Sequence, residues 1–555
     1  GTGRLKDHWA FDARLSNIGT DGYIDRASVD LYSFYAQGGY FADNTSVKFI
    51  TFGGKEKTYH AWNYATKEEM KKYGRRFNSC GMYTDDDGHI RFYKDQTDNY
   101  LQMNYQLLLN HTFSAAWNLN AALHYTKGDG YYQEYKEDRS LKEYRLHPFM
   151  YDGKEVEKSD LIRQKKMDNH FGGGVFSVNY RNEKLDASLG GALNYYDGWH
   201  FGRVIWVKNY IGELLPDHEY YRNKAKKTDG NLYLKANYNL VAGLNAYADL
   251  QYRYINYKIH GDNDKYDYNT DGLQKLAVND HFNFFNPKAG LNWDIDSNNR
   301  VYASFSVAQK EPTRNNYTDG NADEYPKAEK LYDYELGYTY RNTWLSAGVN
   351  FYYMDYKDQL VLTGELNEIG EAMARNVPDS YRTGVELMLG VKPCRWFQWD
   401  INGTLSKNRV KNFTEKLYED EWKNPIEVEH GNTPIAFSPD FILNNRFSFS
   451  HKGFEAALQS QYVSKQYMSN AKQAEQTLDA YFVSNLNLAY TFQLRHVKSV
   501  TVGFTIYNLF NEKYENNGYA GSGYTLKDGK PERYNYAGYA AQAGTNVMGN
   551  ISIRF

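Results

Sequence analysis

The stretch Asp-Tyr-Asn-Thr-Asp-Gly at 267–272 is where residue types and spacing come nearest to chemistry. Asp267, Asn269 and Asp271 alternate as oxygen ligands ahead of Gly272, the first half of a calcium loop. The position where a bidentate Glu would complete such a loop is Val278, which excludes an EF-hand. The expectation left is calcium bracing an irregular loop, helped by Asp262 or Asp264, set against the plainer reading of a solvated acidic loop. Asp85–Asp87, in Thr-Asp-Asp-Asp-Gly-His, has similar composition and is the weaker candidate.

Other chemistry is thinner. Gly172–Gly174 lies in Phe-Gly-Gly-Gly-Val-Phe, without the Gly-Lys-Ser/Thr ending of a phosphate loop and inside an alternating pattern, so it reads as a strand bend. No His-Glu-x-x-His and no Gly-x-Ser-x-Gly occurs, so the expectation is a protein that is not an enzyme and requires no cofactor. A third set suits capture instead. Arg75, Arg76, Tyr131, Tyr132, Trp199, His200, Arg203, Arg314 and Tyr317 fall in long charged stretches. Arginine forks onto carboxylates or catecholates, and aromatic rings stack on planar ligands. Singly, each also reads as decoration of a loop or rim.

What positions these residues is a chain of alternating strands. In "HWAFDARLSNI", Trp9, Phe11, Ala13 and Leu15 share one face; Asp12, Arg14 and Ser16 take the other. "NLYLKANYNL" sets Leu232, Leu234 and Leu240 against Lys235, Asn237 and Asn239, and "LNAYADLQYRY" repeats the scheme. The alternation holds for about 10–14 residues at a time, beyond the usual strand length of about 5–6 and enough for a membrane-spanning strand of roughly 9–11. Tight polar turns near 43–45, 181–184, 296–299, 341–343, 393–395 and 451–453 alternate with long charged stretches. Those stretches run near 55–97, 129–166, 197–228, 258–281, 310–330, 357–377, 408–438, 464–478 and 512–542, and they read as irregular loops.

Short turns at one end and long loops at the other mark an outer-membrane β-barrel, closed because hydrocarbon tolerates no open edge. The expected fold is therefore all-β, a transmembrane antiparallel barrel over residues 1–555, with about 20 strands of a 22-stranded barrel. On that reading residues 1–3 end an earlier strand, while the first hairpin and any plug lie upstream. The last strand, "NVMGNISIRF", closes the ring and sets Phe555 at the periplasmic interface. A soluble all-β protein is the alternative; Asp12, Arg14, Lys235, Asp249, Arg253 and Arg446 on the inner face argue against it, because they suit a wet or plugged lumen.

Composition fits. There are 54 Tyr, more phenols than a dry core can satisfy, but useful at the two edges of an apolar band. A net charge of -3 gives no general polyanion-binding signal, and no run of 18 apolar residues offers a helical span. Cys80 and Cys394 are assigned to opposite sides of the membrane, too far apart to pair.

Several segments resemble a known family. "YNLFNEKYENNGY" (507–519) is similar to the last-but-one strand and following loop of TonB-dependent outer-membrane receptors. "SVAQKEPTRNNYTD" (306–319) and "EYPKAEKLYDYELGYTY" (324–340) resemble that family's mid-barrel loop and next strand, and "TDGYIDRASVD" (20–30) resembles its Bacteroidetes-type members. The resemblance implies a receptor that imports a scarce nutrient. A ferric siderophore or other iron complex comes first, then cobalamin, haem or a glycan. It implies a plug, a TonB complex engaged through an N-terminal region, contact with outer-membrane lipid, and in some members a surface lipoprotein. Haem receptors of the family carry a loop His near an Arg-Ala-Pro-like segment, where this chain has Lys310-Glu-Pro-Thr-Arg314. A passive porin is the alternative from another class.

Overall fold

Three of the tight turns are built the same way. Asn182 Oδ1 accepts the backbone N–H groups of Lys184 and Leu185 at 2.9 and 2.7 Å. Asn342 Oδ1 does so for Trp344 and Leu345 at 2.9 and 2.7 Å. Asp296 Oδ1 does so for Asn298 and Asn299 at 2.8 and 2.9 Å. A short side-chain acceptor that mimics a backbone turn is why Asn and Asp stand at these positions. At His451–Phe454 the connection is a two-residue turn with Lys452 and Gly453 both at positive φ, 46° and 83°, which matches the twist of the flanking strands.

The computed structural model describes residues 2–5, 7–211, 214, 218–268, 270–319, 325–367, 370–419 and 424–555. Asn269 of the acidic loop lies outside them. The chain packs as two compact units, one made of residues 1–63, 77–237 and 249–285, the other of 64–76, 238–248 and 286–555.

In the first unit each long strand pairs antiparallel with the next. Thr2–Leu5 pairs with Trp9–Thr20, then Val29–Phe41, Thr45–Tyr59, Thr97–Thr112, Trp117–Ser140, Lys158–Arg181 and Leu185–Val207 follow in order. The second unit continues the pattern from Asn299–Lys310 through Glu329–Arg341, Leu345–Leu366, Ala372–Cys394 and Phe397–Leu417. Phe397–Leu417 is flanked by two shorter strands end to end, Ile426–Pro434 and Phe441–His451. Phe454–Val463, Tyr481–Leu494, Val497–Tyr507 and Asn546–Arg554 complete the ladder.

The strands are longer than the sequence reading gave. Trp117–Ser140 and Lys158–Arg181 run 24 residues each, and Leu185–Val207 and Glu219–Val241 run 23. Much of 129–166, 197–228 and 258–281 is thus laddered strand and not irregular loop. The charges there alternate in the same period as the apolar residues below them, and the backbone stays laddered apart from bulges near Asp160 and Ile205, so composition changed while structure did not. The connections hold small elements of their own. Lys67–Tyr73 is a helix closed by a reciprocal Thr66–Glu69 capping box, and Glu515–Lys527 pairs with Lys530–Ala541 as a hairpin.

Exposed rings are placed by position along the strands. Trp9 and Trp117 in the first unit, and Trp293, Trp344 and Trp396 in the second, stand exposed beside tight turns. Exposed Leu123, Leu193 and Leu232 follow further along their strands, and beyond them come Tyr125, Tyr195 and Tyr254 on theirs. An apolar band edged by Trp and Tyr is the surface a lipid-facing sheet requires.

Candidate functional site

The charged strand extensions of the first unit enclose a small dry core: Leu141, Tyr144, Leu146, Phe149, Leu161, Val204, Tyr220 and Leu273 with their neighbours. Beside it Glu134 is 1% exposed and Arg163 4%. Arg163 Nε and Nη2 reach Glu134 Oε2 at 2.9 and 2.8 Å, and Lys136 Nζ stands 3.0 Å from Oε1. Burial by itself would raise the Glu134 carboxyl, but Arg163, Lys136 and Lys165 together hold it at about 2. Lys165 pairs with Asp264. Every charge here has its counter-charge, so this region stabilises and offers no vacancy for a ligand.

The second unit is different. Between the upper ends of Leu345–Leu366, Ala372–Cys394 and Phe397–Leu417 and the segments around Asn470 and Ser522 lies a cavity of about 470 Å³. Its lining carries four cationic side chains, Lys327, Arg375, Lys411 and Lys416, against two carboxylates, Glu365 and Glu415. Glu415 is already clasped: Arg533 donates from Nη1 and Nη2 at 2.6 and 3.0 Å, and His430 Nε2 is 2.8 Å away. Asn470 pins the floor, donating to Leu362 O at 2.7 Å and accepting from Ala436 N at 2.8 Å. Val361, Val377, Val410 and Ile435 pack as a buried apolar cluster beside it. Lys411 stands 3.1 Å from Asp355, Lys327 3.8 Å from Asp358 and Arg375 3.8 Å from Glu365, in part-exposed pairs whose cations an anionic guest can compete for. An apolar wall beside such exchangeable cations suits a ligand that is part hydrocarbon or aromatic and part anionic.

The residues singled out from the sequence are divided by strand alternation and by unit. In the first unit Trp199 and Arg203 share the face of exposed Leu193 and Tyr195, whereas His200 takes the opposite face. Tyr131 packs under Lys166, and Tyr132 lies edge-on to Trp62 with His60 nearby. In the second unit Arg75 pairs with Glu515 and donates to Tyr514 O at 3.0 Å, which ties the Lys67–Tyr73 segment to the 515–541 hairpin. Arg76 is exposed. Arg314 and Tyr317 sit on the short helix Arg314–Thr318; Tyr317 packs edge-on to Tyr325, a cavity-lining residue, and Asn316 of the same turn lines the cavity directly. The sequence reading thus reached the helix beside the cavity but missed Arg375, Lys411, Lys416 and Asn470. For Lys411 and Lys416 the local signal is the cation-rich stretch Arg409–Leu417; Arg375 and Asn470 carry none.

At the acidic loop, Asp271 accepts from Lys142 Nζ at 3.0 Å and Tyr266 Oη at 2.6 Å, Asp262 is held by Arg145 and Lys275, and Asp267 accepts from Thr270 Oγ1 at 3.0 Å. Calcium would have to displace these ammonium and guanidinium groups. Asp85, Asp87 and His89 bring ligand atoms within 4.8 Å of one another, yet Arg91 Nε sits 2.8 Å from Asp85 and holds its carboxyl below the usual range. Cys80 and Cys394 are both free thiols.

A long antiparallel meander with aromatic-edged apolar faces, short turns and elaborate far-end connections defines a class. The family model for the TonB dependent receptor-like β-barrel matches residues 11–509, and the chain belongs to that family, whose members are outer-membrane proteins. Among individual proteins, it is 24% identical to the pesticin receptor of Yersinia enterocolitica over 225 residues, 40% of this chain and 30% of that receptor. A siderophore receptor from Acinetobacter baumannii superposes over 100% of this chain and 79% of its own, with TM-score 0.70 at 11% identity. The ferric yersiniabactin uptake receptor from Yersinia pestis does so over 100% and 77%, with TM-score 0.67 at 14% identity. At these identities the likeness establishes the fold.

Proposed function

We propose that this protein takes up an anionic iron complex, most simply a ferric siderophore, across the outer membrane in a TonB-energised step. The supporting observation is the cavity of the second unit, lined by four lysine and arginine side chains, three of them in part-exposed ion pairs, beside an apolar wall. Ferric chelates built on carboxylates or catecholates carry negative charge over an apolar scaffold, and arginine recognises such oxygens in pairs. On this reading the strands form one closed barrel of 22, about 20 of them within these residues. A plug completes the transport path, and the chain works as a carrier and not as a catalyst. The names of the siderophore and ferric yersiniabactin receptors that share its fold are consistent with an iron-complex cargo.

The test is direct binding to the full-length receptor of a ferric tris-catecholate, ferric citrate, cobalamin, haem and a neutral glycan. Preference for the ferric chelates is expected. Selective binding of cobalamin or glycan would move the assignment within the family. Unenergised flux of all small solutes, with no saturable binding, would replace it with a porin.

A further inference from the structure

On the first unit, two lysines stand where the apolar face gives way to charge. Along Glu219–Val241, Leu232 and Leu234 are exposed on one face, and the same alternation brings Lys226 to that face. Along Leu244–Asp267, Leu250, Tyr252 and Tyr254 are exposed, and the alternation continues to Lys258, also exposed, while Ile255, Tyr257 and Ile259 between them are buried.

These two strands register so that the lysines meet. Gly261 lies against Asn223, Asn223 Nδ2 donates to Asp262 O at 2.8 Å, and Lys227 Nζ lies 5.7 Å from the centre of the Tyr257 ring. In that register Lys226 is directly opposite Lys258. Like charges in that position repel. The surrounding cations are satisfied: Lys224 is 2.8 Å from Asp197 and sits over Trp199, and Arg222 pairs with Glu219 at 2.6 Å and sits over Phe201. Lys226 and Lys258 have no ion pair or hydrogen bond among the described residues.

Their height is decisive. Two alternations separate Lys258 from Tyr254, about 13 Å along a strand and about 10 Å along the membrane normal for a strand tilted some 40°. A lysine stem reaches back roughly half that distance. The two ammonium groups therefore stand just above the tyrosine edge, in the headgroup layer. Charge complementarity names one occupant. We propose that Lys226 and Lys258 form a binding site for a phosphate group of an outer-leaflet lipid headgroup, which bridges the two ammonium groups and removes their repulsion. The site rests on the family's membrane location and is independent of the cargo assignment.

The experiment uses the full-length receptor in a neutral detergent, with thermal unfolding and lipid titration as readouts. The probes are lipid A bearing its phosphates, dephosphorylated lipid A and inorganic phosphate. The phosphorylated lipid is expected to bind and raise the unfolding temperature, the dephosphorylated lipid to do so far less. The pair Lys226→Gln with Lys258→Gln should weaken binding by about 30-fold, the effect of two lysines near an anionic lipid surface. Lys154→Gln, an exposed lysine in a hairpin away from this face, should change nothing. Equal response to both lipids, no response to either, or undiminished binding in the double variant overturns the proposal. A full response to inorganic phosphate alone overturns the lipid assignment. Should the double variant fail to fold, the comparison of the two lipids on the unmodified receptor still decides.

Discussion

Glu134 in the first unit and Glu415 in the second are both acids clasped by an arginine, yet their surroundings teach different things. Glu134 is sealed among Arg163, Lys136 and the tyrosines of a dry core, where the Arg163 guanidinium also reaches Tyr144 Oη at 3.2 Å. Among the described residues the charges there are all paired, although the buried Tyr220 hydroxyl has no hydrogen-bond partner. Glu415 is equally occupied, by Arg533 and His430, but it lines a void in which Lys327, Arg375, Lys411 and Lys416 outnumber the acids. Where charge balances around packed atoms, the fold spends it on holding a shape. Where the cations instead sit in longer, part-exposed pairs around a space, Lys411 with Asp355, Lys327 with Asp358 and Arg375 with Glu365, an anionic guest can compete for them.

The largest effect that would break this contrast is in the first unit. Arg163→Ala leaves the buried Glu134 carboxylate with Lys136 as its close ion-pair partner and should cost up to about 3–5 kcal/mol, whereas Glu134→Leu with Arg163→Met should recover most of that loss. Urea unfolding with hydrogen exchange over residues 129–166 checks both; a small cost for the single variant would mean that the region is wet. Next, the lipid face can be challenged in the second unit. Ile551 lies opposite Val502, and Ser552 opposite Thr501. Ile551→Lys should cost up to about 2–4 kcal/mol, less near the membrane edge, and Ser552→Lys little. Heat-modifiable gel mobility compares their folding yields, and equal yields would refute the facing.

A pH effect sharpens the first region further. Burial lowers His60 to about 4; it stacks on Trp62 with ring centres 3.8 Å apart. Its folded value lies below the unfolded value near 6.5, so the unfolded chain binds the proton first. Stability is therefore full above about 6.5 and falls as pH drops toward 4, by on the order of 2–3 kcal/mol. Exchange rates of the 57–63 backbone across that window should rise accordingly, and His60→Phe should flatten the response. The smallest effect belongs to the second unit. Thr66→Ala removes a helix cap, worth about 1 kcal/mol, and should loosen Met70 from Met468, Leu478 and Tyr539. Protease sensitivity near residue 73 reads it.

The alternation of Trp9, Phe11, Ala13 and Leu15, or of Leu232 and Leu234, was legible because one face must satisfy hydrocarbon at every second residue. The turns at Asn182, Asp296 and Asn342 were legible because only short acceptor side chains close them. The strand extensions were not, because above the lipid the outer face turns polar and the inner face mixes charged pairs such as Glu134–Arg163 with scattered buried positions such as Leu161, Val204 and Ile255. Alternation of Lys, Asp and Asn there looks like a loop until the partner strand is seen. The cavity was least legible. Arg375, Lys411, Asn470 and Ser522 come from segments far apart in the chain, and no local spacing announces their meeting. Arg314 and Tyr317 were found because they lie on one short turn, next to Asn316, which does line the space.

The most direct measurement is titration of the full-length receptor with a ferric tris-catecholate, comparing the unmodified protein with Arg375→Ala plus Lys411→Ala. Removing each charge-assisted hydrogen bond to the guest should weaken binding by roughly 10-fold or more, while Glu134→Leu with Arg163→Met should leave affinity unchanged. Binding undiminished without the two cavity cations, or abolished equally by the first-unit pair, would contradict the assignment of the guest to the second unit's void.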